Sequence, residues 1–211
     1  MTREPYANST IEAYLERLAS AAPEPGGGSV AALVGALAAA LVSMVANLTL
    51  GKEKYALAQD VMTELKVNAE FARTRLSELI TLDAEAYGAV AEAMKLPKDS
   101  DEQKRVRADA LQKALRGAAE VPLTVAEAAA EVARLSLPAA ELGNVNAVSD
   151  AAVAAVLADA AAHSAALNVK INLAWIEDKD YARDAWSRIE AVLSETARLR
   201  DAVLSITYGK L

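Results

Sequence analysis

Cysteine is absent from this chain of 211 residues, and histidine occurs once, at His163. Without thiols there is no disulfide framework, no thiolate nucleophile and no cysteine metal site. One histidine cannot form a metal-binding cluster, and aspartates and glutamates scattered along the chain do not replace it, so no metal is expected. Aromatic residues are scarce at 4%, although 54% of the chain is hydrophobic. Alanine and aliphatic side chains must therefore supply the apolar surface. That composition favours closely packed helices, because alanine is the best helix former and lets backbones approach. Positive charge is also in short supply: the net charge of -7 repels a phosphate backbone except at a local basic patch, which argues against nucleic acid as a partner. No secretory leader pattern opens the sequence, and this reads as a cytoplasmic protein.

A different absence marks residues 26–51, which carry no charge at all. The stretch is long enough to span a bilayer. It is dominated by alanine and glycine, however, with Ser29, Ser43, Asn47 and Thr49 interspersed, whereas insertion is driven by leucine, isoleucine, phenylalanine and valine. It is expected to be a central helix wrapped by its neighbours or buried in a dimer, with no membrane partner.

What is present is helical periodicity. Ser9 and Glu12 have capping-box spacing before a short amphipathic helix bearing Ile11, Tyr14, Leu15 and Leu18. Pro23, Pro25 and three glycines end it. A second helix starts near Ser29 and runs to about Leu50, where Gly51 stops it. From Tyr55 to Met94 an apolar stripe continues without proline, predicting a helix on the order of 60 Å long. After the turn at residues 96–100, a run from Glu102 to Leu135 contains Pro122, which should kink or divide it, and Pro138 should mark its end. Residues 143–146 break the pattern, Ser149 and Asp150 look like helix-start residues for a run through Trp175, and a last helix begins near Asp178 or Asp180. The expected fold is all-α, one domain over residues 1–211, an up-and-down bundle of long helices that dimerises through helix packing.

Several residues could carry chemistry. Gly26, Gly27 and Gly28 before a helix at Ser29 allow unusual backbone angles and present N–H groups that bind anions or carbonyl oxygens; equally, they could be a flexible connection capped by Ser29. Asp83 falls within the apolar stripe between Leu79, Ile80 and Tyr87. A carboxylate there is desolvated, so it is either a proton-transfer group with a raised pKa or an acid held by a cation on a neighbouring helix. Lys52 and Lys54 follow the uncharged helix, where cations favour its dipole, and could form a positive mouth for an anionic substrate. Asn144 and Asn146 could form an Asx turn, while Asn168 and Asn172 share a helix face and could meet the edge of a heterocycle. Asp150 is either an N-cap or a second candidate acid. His163 reads as structural, since no serine has a nucleophile-elbow context to build a triad.

In order along the chain, Pro25-Gly26-Gly27-Gly28-Ser29, Ser43-Met44-Val45, Gly51-Lys52, Asp83-Ala84-Glu85-Ala86-Tyr87, Leu96-Pro97-Lys98, Val121-Pro122-Leu123, Gly143-Asn144, Ser149-Asp150 and Asn168 resemble the cyclodeaminase/cyclohydrolase family. That family comprises the cyclodeaminase domain of formiminotransferase-cyclodeaminase and the stand-alone bacterial methenyltetrahydrofolate cyclohydrolases. The resemblance implies an all-helical homodimer with a folate-binding crevice and no cofactor or metal. It favours the hydrolysis of 5,10-methenyltetrahydrofolate, with release of ammonia from formiminotetrahydrofolate as the alternative. A non-catalytic helical dimer is the competing class. On this reading Asp83, Asp150 and Lys52 carry the chemistry, with Asp83 the first choice of base. Gly27, Gly28, Ser29, Asn47, Asn144, Asn146 and Asn168 bind the substrate. The turn departs from the family pattern at Pro23-Glu24-Pro25, which bears on local loop shape.

Overall fold

The computed structural model describes residues 6–211, and within them every regular element is a helix: α1 (Ile11–Leu18), α2 (Gly27–Thr49), α3 (Gln59–Lys95), α4 (Asp101–Leu142), α5 (Val148–Leu173) and α6 (Lys179–Tyr208), with short 3-10 turns between some of them. Helices α2, α3, α4 and α5 form a ring in which each packs on the next and α5 closes back onto α2; α6 lies in the groove between α4 and α5. The core they enclose is built from alanine, valine and leucine, including Ala38, Val42, Leu76, Leu123, Ala129, Ala158 and Val169. This is the dense, alanine-mediated packing that the scarcity of aromatics demanded. Gly35 shows how close it is, since a Cβ there would lie 3.0 Å from the Leu76 side chain.

Both α2 and the segment 145–173 are long and apolar enough to cross a membrane, and in each more than half of the apolar window is buried inside the bundle. The expected central helix is covered by its neighbours on one side only, since Leu37, Met44 and Leu48 of α2 are exposed. Its small residues Ala31, Ala32, Ala38, Ala39 and Ala46 are inaccessible to solvent.

Three local expectations need correction. The cap of α1 is Thr10, whose hydroxyl accepts the Ala13 N–H, while the Ser9 hydroxyl donates to the Tyr6 carbonyl. Tyr14 is buried and Leu18 packs beside the core, but Ile11 and Leu15 are exposed, so α1 docks through two of the four expected residues. More consequentially, α4 is not divided at Pro122, nor does it end at Pro138: both prolines lie inside a helix that continues to Leu142. A proline lacks the N–H that would satisfy the carbonyl four residues earlier, and for Pro122 that carbonyl belongs to Ala118. The Asn172 amide donates to it at 2.9 Å from α5. A side chain from another helix thus replaces the missing backbone bond. Finally, α5 begins at Val148 with Ala147 at its cap, so Asp150 sits in the first turn rather than capping it.

Helix α6 buries Ala185, Ile189, Val192, Leu199 and Val203 in the core, and polar and charged pairs flank that face. Arg134 on α4 makes a two-pronged pair with Glu195 at 2.7 and 2.6 Å, and Arg188 reaches Glu127 on α4 at 2.6 Å. Buried Asp159 on α5 accepts the Thr196 hydroxyl at 2.9 Å and the Arg200 guanidinium. His163 adjoins the same aspartate, its Nδ1 lying 3.0 Å from the Asp159 carbonyl oxygen, and it does not line the cavity at Asp83.

Lengths decide where a hollow forms. At 1.5 Å per residue α2 is roughly 35 Å long, whereas α3 and α4 are roughly 55 and 63 Å. The α3–α4 hairpin therefore overshoots the start of α2, which meets α3 at Asp83.

Candidate active site

The overshoot leaves a cavity of about 420 Å³, bounded by the Pro23–Gly28 loop, the α3 segment from Asp83 to Met94, the α4 segment from Leu111 to Ala118, and the end of α5 from Asn168 to Trp175. Buried Val90, Leu115 and Ala118 form an apolar interior, and the polar groups converge where the glycine loop meets α3 and α5.

Asp83 is the centre of that convergence. It is partly buried, and burial pushes its carboxyl above the ordinary carboxylate value, while the Ser29 backbone N–H, donating to it, pulls the other way. The positive end of α2 also faces the carboxylate and favours its charged form. The approach is so close that a Cβ on Gly28 would fall 2.0 Å from Oδ1 and 2.5 Å from Cγ. Glycine is needed at residue 28 because the carboxylate occupies the space of a side chain. Asn168 faces Gly27 across the loop, its Nδ2 3.4 Å from where a Cβ would stand, and that Nδ2 donates to the Ser164 carbonyl at 2.9 Å. Asn172, one turn further on, is held by Ala118 and by the Asn168 carbonyl.

The loop is braced from behind by α1. The phenol of buried Tyr14 and the hydroxyl of Ser29 share a hydrogen bond of 3.0 Å; burial raises the Tyr14 pKa, and the nearby Asp83 charge raises it further against the pull of Ser29. Arg17 Nε donates to the Glu24 carbonyl at 3.2 Å. Ser29 therefore contributes its N–H to the carboxylate, while its hydroxyl is turned to Tyr14 and away from the cavity lining.

The structure brings together Gly27, Gly28, Ser29, Asp83 and Asn168. It places Lys52, Asn47, Asn144, Asn146 and Asp150 elsewhere, toward the opposite end of the bundle. From Gly28 to Lys52 the chain climbs the whole of α2, and from Asn168 to Asp150 it runs back along α5, roughly 35 and 27 Å at helical rise. Asn144 is bound into that end: its Nδ2 donates to the Leu48 carbonyl at 2.9 Å, its N–H to Thr49 Oγ1 at 2.8 Å, and its Oδ1 accepts from Tyr55 and from the Asn146 N–H. The Asx turn is thus present, and it ties α2 to the start of α5. Lys52, Asn47 and Asn146 are exposed. Among the described residues no group of three histidine or acidic side chains is placed to hold a metal ion.

Sequence reasoning gave Tyr14, Tyr87 and Trp175 no part in the site, and it named Asn172 only as an amide that could meet a ring edge. Tyr14 looked like one residue of an amphipathic stripe, and Asn172 was one of two equivalent amides until Pro122 gave it a task. Tyr87 and Trp175 looked like core and helix end. The signal available for Asn172 was the proline itself, which obliges some donor to meet the orphaned carbonyl.

A desolvated carboxylate beneath a glycine-rich helix start, in an apolar cavity of an all-helical bundle, is an arrangement suited to acid–base chemistry on a small organic substrate. Comparison with known proteins makes this specific. The formiminotransferase-cyclodeaminase family model matches residues 10–191. Methenyltetrahydrofolate cyclohydrolase of Methylorubrum extorquens is 42% identical over 97% of this chain and 98% of its own. Formimidoyltransferase-cyclodeaminase of Mus musculus is 36% identical over 89% of this chain, which spans only 35% of that longer protein. The crystal structure of formiminotetrahydrofolate cyclodeaminase from Thermotoga maritima superposes with a TM-score of 0.86 at 32% identity, covering 96% of this chain and 97% of that one. This chain belongs to the formiminotransferase-cyclodeaminase family.

Proposed function

We propose that this protein is a methenyltetrahydrofolate cyclohydrolase, hydrolysing 5,10-methenyltetrahydrofolate to 10-formyltetrahydrofolate with Asp83 as the general base. The observation that carries the proposal is the seat of Asp83, desolvated in an apolar cavity yet held by the Ser29 N–H at the start of α2. The near full-length similarity to a stand-alone cyclohydrolase supports the choice of reaction.

The chemistry fits the groups present. The bridging carbon of the substrate lies in a cationic amidinium and is already electrophilic, so the proposal needs no cofactor; it asks for an activated water and a carried proton. Asp83 attracts the cation and takes a proton from water as oxygen bonds to the bridging carbon, giving a neutral adduct. Its protonated carboxyl then delivers that proton to N5 as the C–N5 bond breaks. The adduct hydroxyl loses its proton to solvent as the formyl C=O forms on N10, and one proton is released overall. Asn168 and the Gly27–Gly28 backbone are positioned to hold the ring system beside the acid.

In this proposal the second cluster acts through a homodimer. Leu33, Leu37, Leu41, Met44 and Leu48 recur along α2 at helical spacing, and Leu37, Met44 and Leu48 are exposed. Such a seam buries itself best against a copy of itself. A two-fold axis across the middle of α2 sets the two α2 helices antiparallel, which carries Lys52, Asn47, Asn144, Asn146 and Asp150 of one subunit toward the Asp83 cavity of the other. There Lys52 serves the folate tail or the intermediate.

The test pairs two substrates. Purified protein should accelerate the loss of methenyltetrahydrofolate absorbance over buffer; no acceleration overturns the proposal. Release of ammonia from formiminotetrahydrofolate, in place of that hydrolysis, would assign the cyclodeaminase reaction that the Thermotoga maritima structure's likeness supports.

A further inference from the structure

The mouth of the Asp83 cavity carries large apolar side chains that face water. Tyr87 and Met94 on α3 and Ile171 on α5 are 48%, 50% and 64% exposed, and Trp175, just beyond α5, is 67% exposed. The two tryptophans of the chain differ sharply. The indole of Trp186 donates to Glu190 at 2.9 Å, and its face is covered by the Lys170 ammonium at 3.9 Å. Among the described residues the Trp175 indole has neither a hydrogen bond nor a ring contact. Its backbone, by contrast, is pinned. Gln112 on α4 donates to the Trp175 carbonyl at 3.1 Å and accepts the Glu177 N–H at 2.9 Å, and Arg116 pairs with Asp178 at 2.5 Å. Exposing an indole forgoes the burial that a large aromatic ring ordinarily gains, and here the surrounding turn is locked in a way that keeps the ring at the cavity.

We infer that Trp175 is a substrate-positioning residue: its indole stacks on the planar rings of the folate at the cavity mouth, with Tyr87 on the opposite, α3, wall, while the reacting carbon lies deeper beside Asp83. The inference rests on the cyclohydrolase reading for the identity of the ring system. Aromatic side chains suit the flat faces of the pyrimidine and benzoyl rings of a folate and would not suit an aliphatic substrate of equal size. Because Trp175 lies at the exposed rim and Asp83 in the partly buried interior, the stack contributes equally to ground and transition states. It lowers KM and leaves kcat alone.

The experiment uses two readouts. In a Trp186→Phe protein, Trp175 is the sole tryptophan, and titration with tetrahydrofolate, which has the rings but no reacting carbon, should change its fluorescence saturably. In the cyclohydrolase assay Trp175→Ala should raise KM about 5- to 20-fold with kcat held within about twofold, and Trp175→Phe should recover most of the loss. An unchanged KM in Trp175→Ala, a fall in kcat with KM unaltered, or no fluorescence response to tetrahydrofolate overturns the inference. Saturable fluorescence change without turnover of methenyltetrahydrofolate would instead leave the stack standing and remove the assigned reaction.

Discussion

Asp83 shows how one residue's surroundings set both its chemistry and its cost. Burial raises its pKa, so the native state binds this proton more tightly than the unfolded chain. The contribution of Asp83 to stability is thus fully present below the unfolded pKa and is lost as pH rises through the raised native value. Asp83→Asn keeps the shape and the acceptor for the Ser29 N–H while removing the buried charge. The expected outcome is a loss of turnover of about 10²- to 10⁴-fold, with a melting temperature at neutral pH equal to or above that of the parent. Lower stability with retained turnover would contradict both halves. The same shift moves the acid limb of the kcat/KM profile upward from the ordinary aspartate value, activity falling as pH drops through it. Gly28→Ala tests the close approach: a Cβ 2.0 Å from Oδ1 must displace the carboxyl or the loop, so activity should fall as severely as in Asp83→Asn, but with a lower melting temperature.

At the scale of elements the instructive case is α4. Pro122 orphans the Ala118 carbonyl, and Asn172 satisfies it, which couples a proline on one helix to an amide on another at the back of the cavity. Truncating Asn172→Ala should cost about 1–3 kcal/mol, the usual penalty for an unsatisfied buried acceptor. Pro122→Ala restores an N–H that can serve Ala118 from within α4. In that background the Asn172→Ala penalty should shrink by 0.5 kcal/mol or more in chemical denaturation, as expected of contacting residues; strictly additive effects would dissolve the link. The sequence displayed the proline and the amide plainly. It did not display the pair, because 50 residues separate them and only the packing of α5 on α4 brings them together.

The whole molecule poses the question of the two residue clusters. Asp83 with the glycine loop, and Lys52 with Asn144, Asn146 and Asp150, lie toward opposite ends of the chain's bundle, and the exposed Leu37, Met44 and Leu48 of α2 lie between them. If antiparallel pairing through that seam completes each site, then Leu37→Glu combined with Met44→Glu should yield monomers in sedimentation and lower turnover together. Lys52→Ala should impair the dimer's activity without altering its assembly. Mixing Asp83→Asn and Lys52→Ala subunits should restore part of the activity of either parent, since one site of each mixed dimer is then intact. No recovery in a verified mixed dimer would overturn the shared site.

The sequence alone determined the class of fold. Alanine-rich 3.6-residue periodicity without cysteine or strand patterning leaves few alternatives to a helical bundle, and an uncharged segment rich in small residues is suited to its centre. It also singled out Asp83, because an acid within an apolar stripe is visible from periodicity alone. Tertiary structure decided everything that depends on distance between helices: that Gly28 makes room for the Asp83 carboxyl, that Ser29 gives its N–H to the acid and its hydroxyl to Tyr14, that α4 runs through two prolines, and that a tryptophan at a helix end stands over a cavity. Periodicity records which face of a helix is covered. Which residue on another helix does the covering is set by how far each helix extends past its neighbours, and here the overshoot of α3 and α4 beyond α2 makes the site.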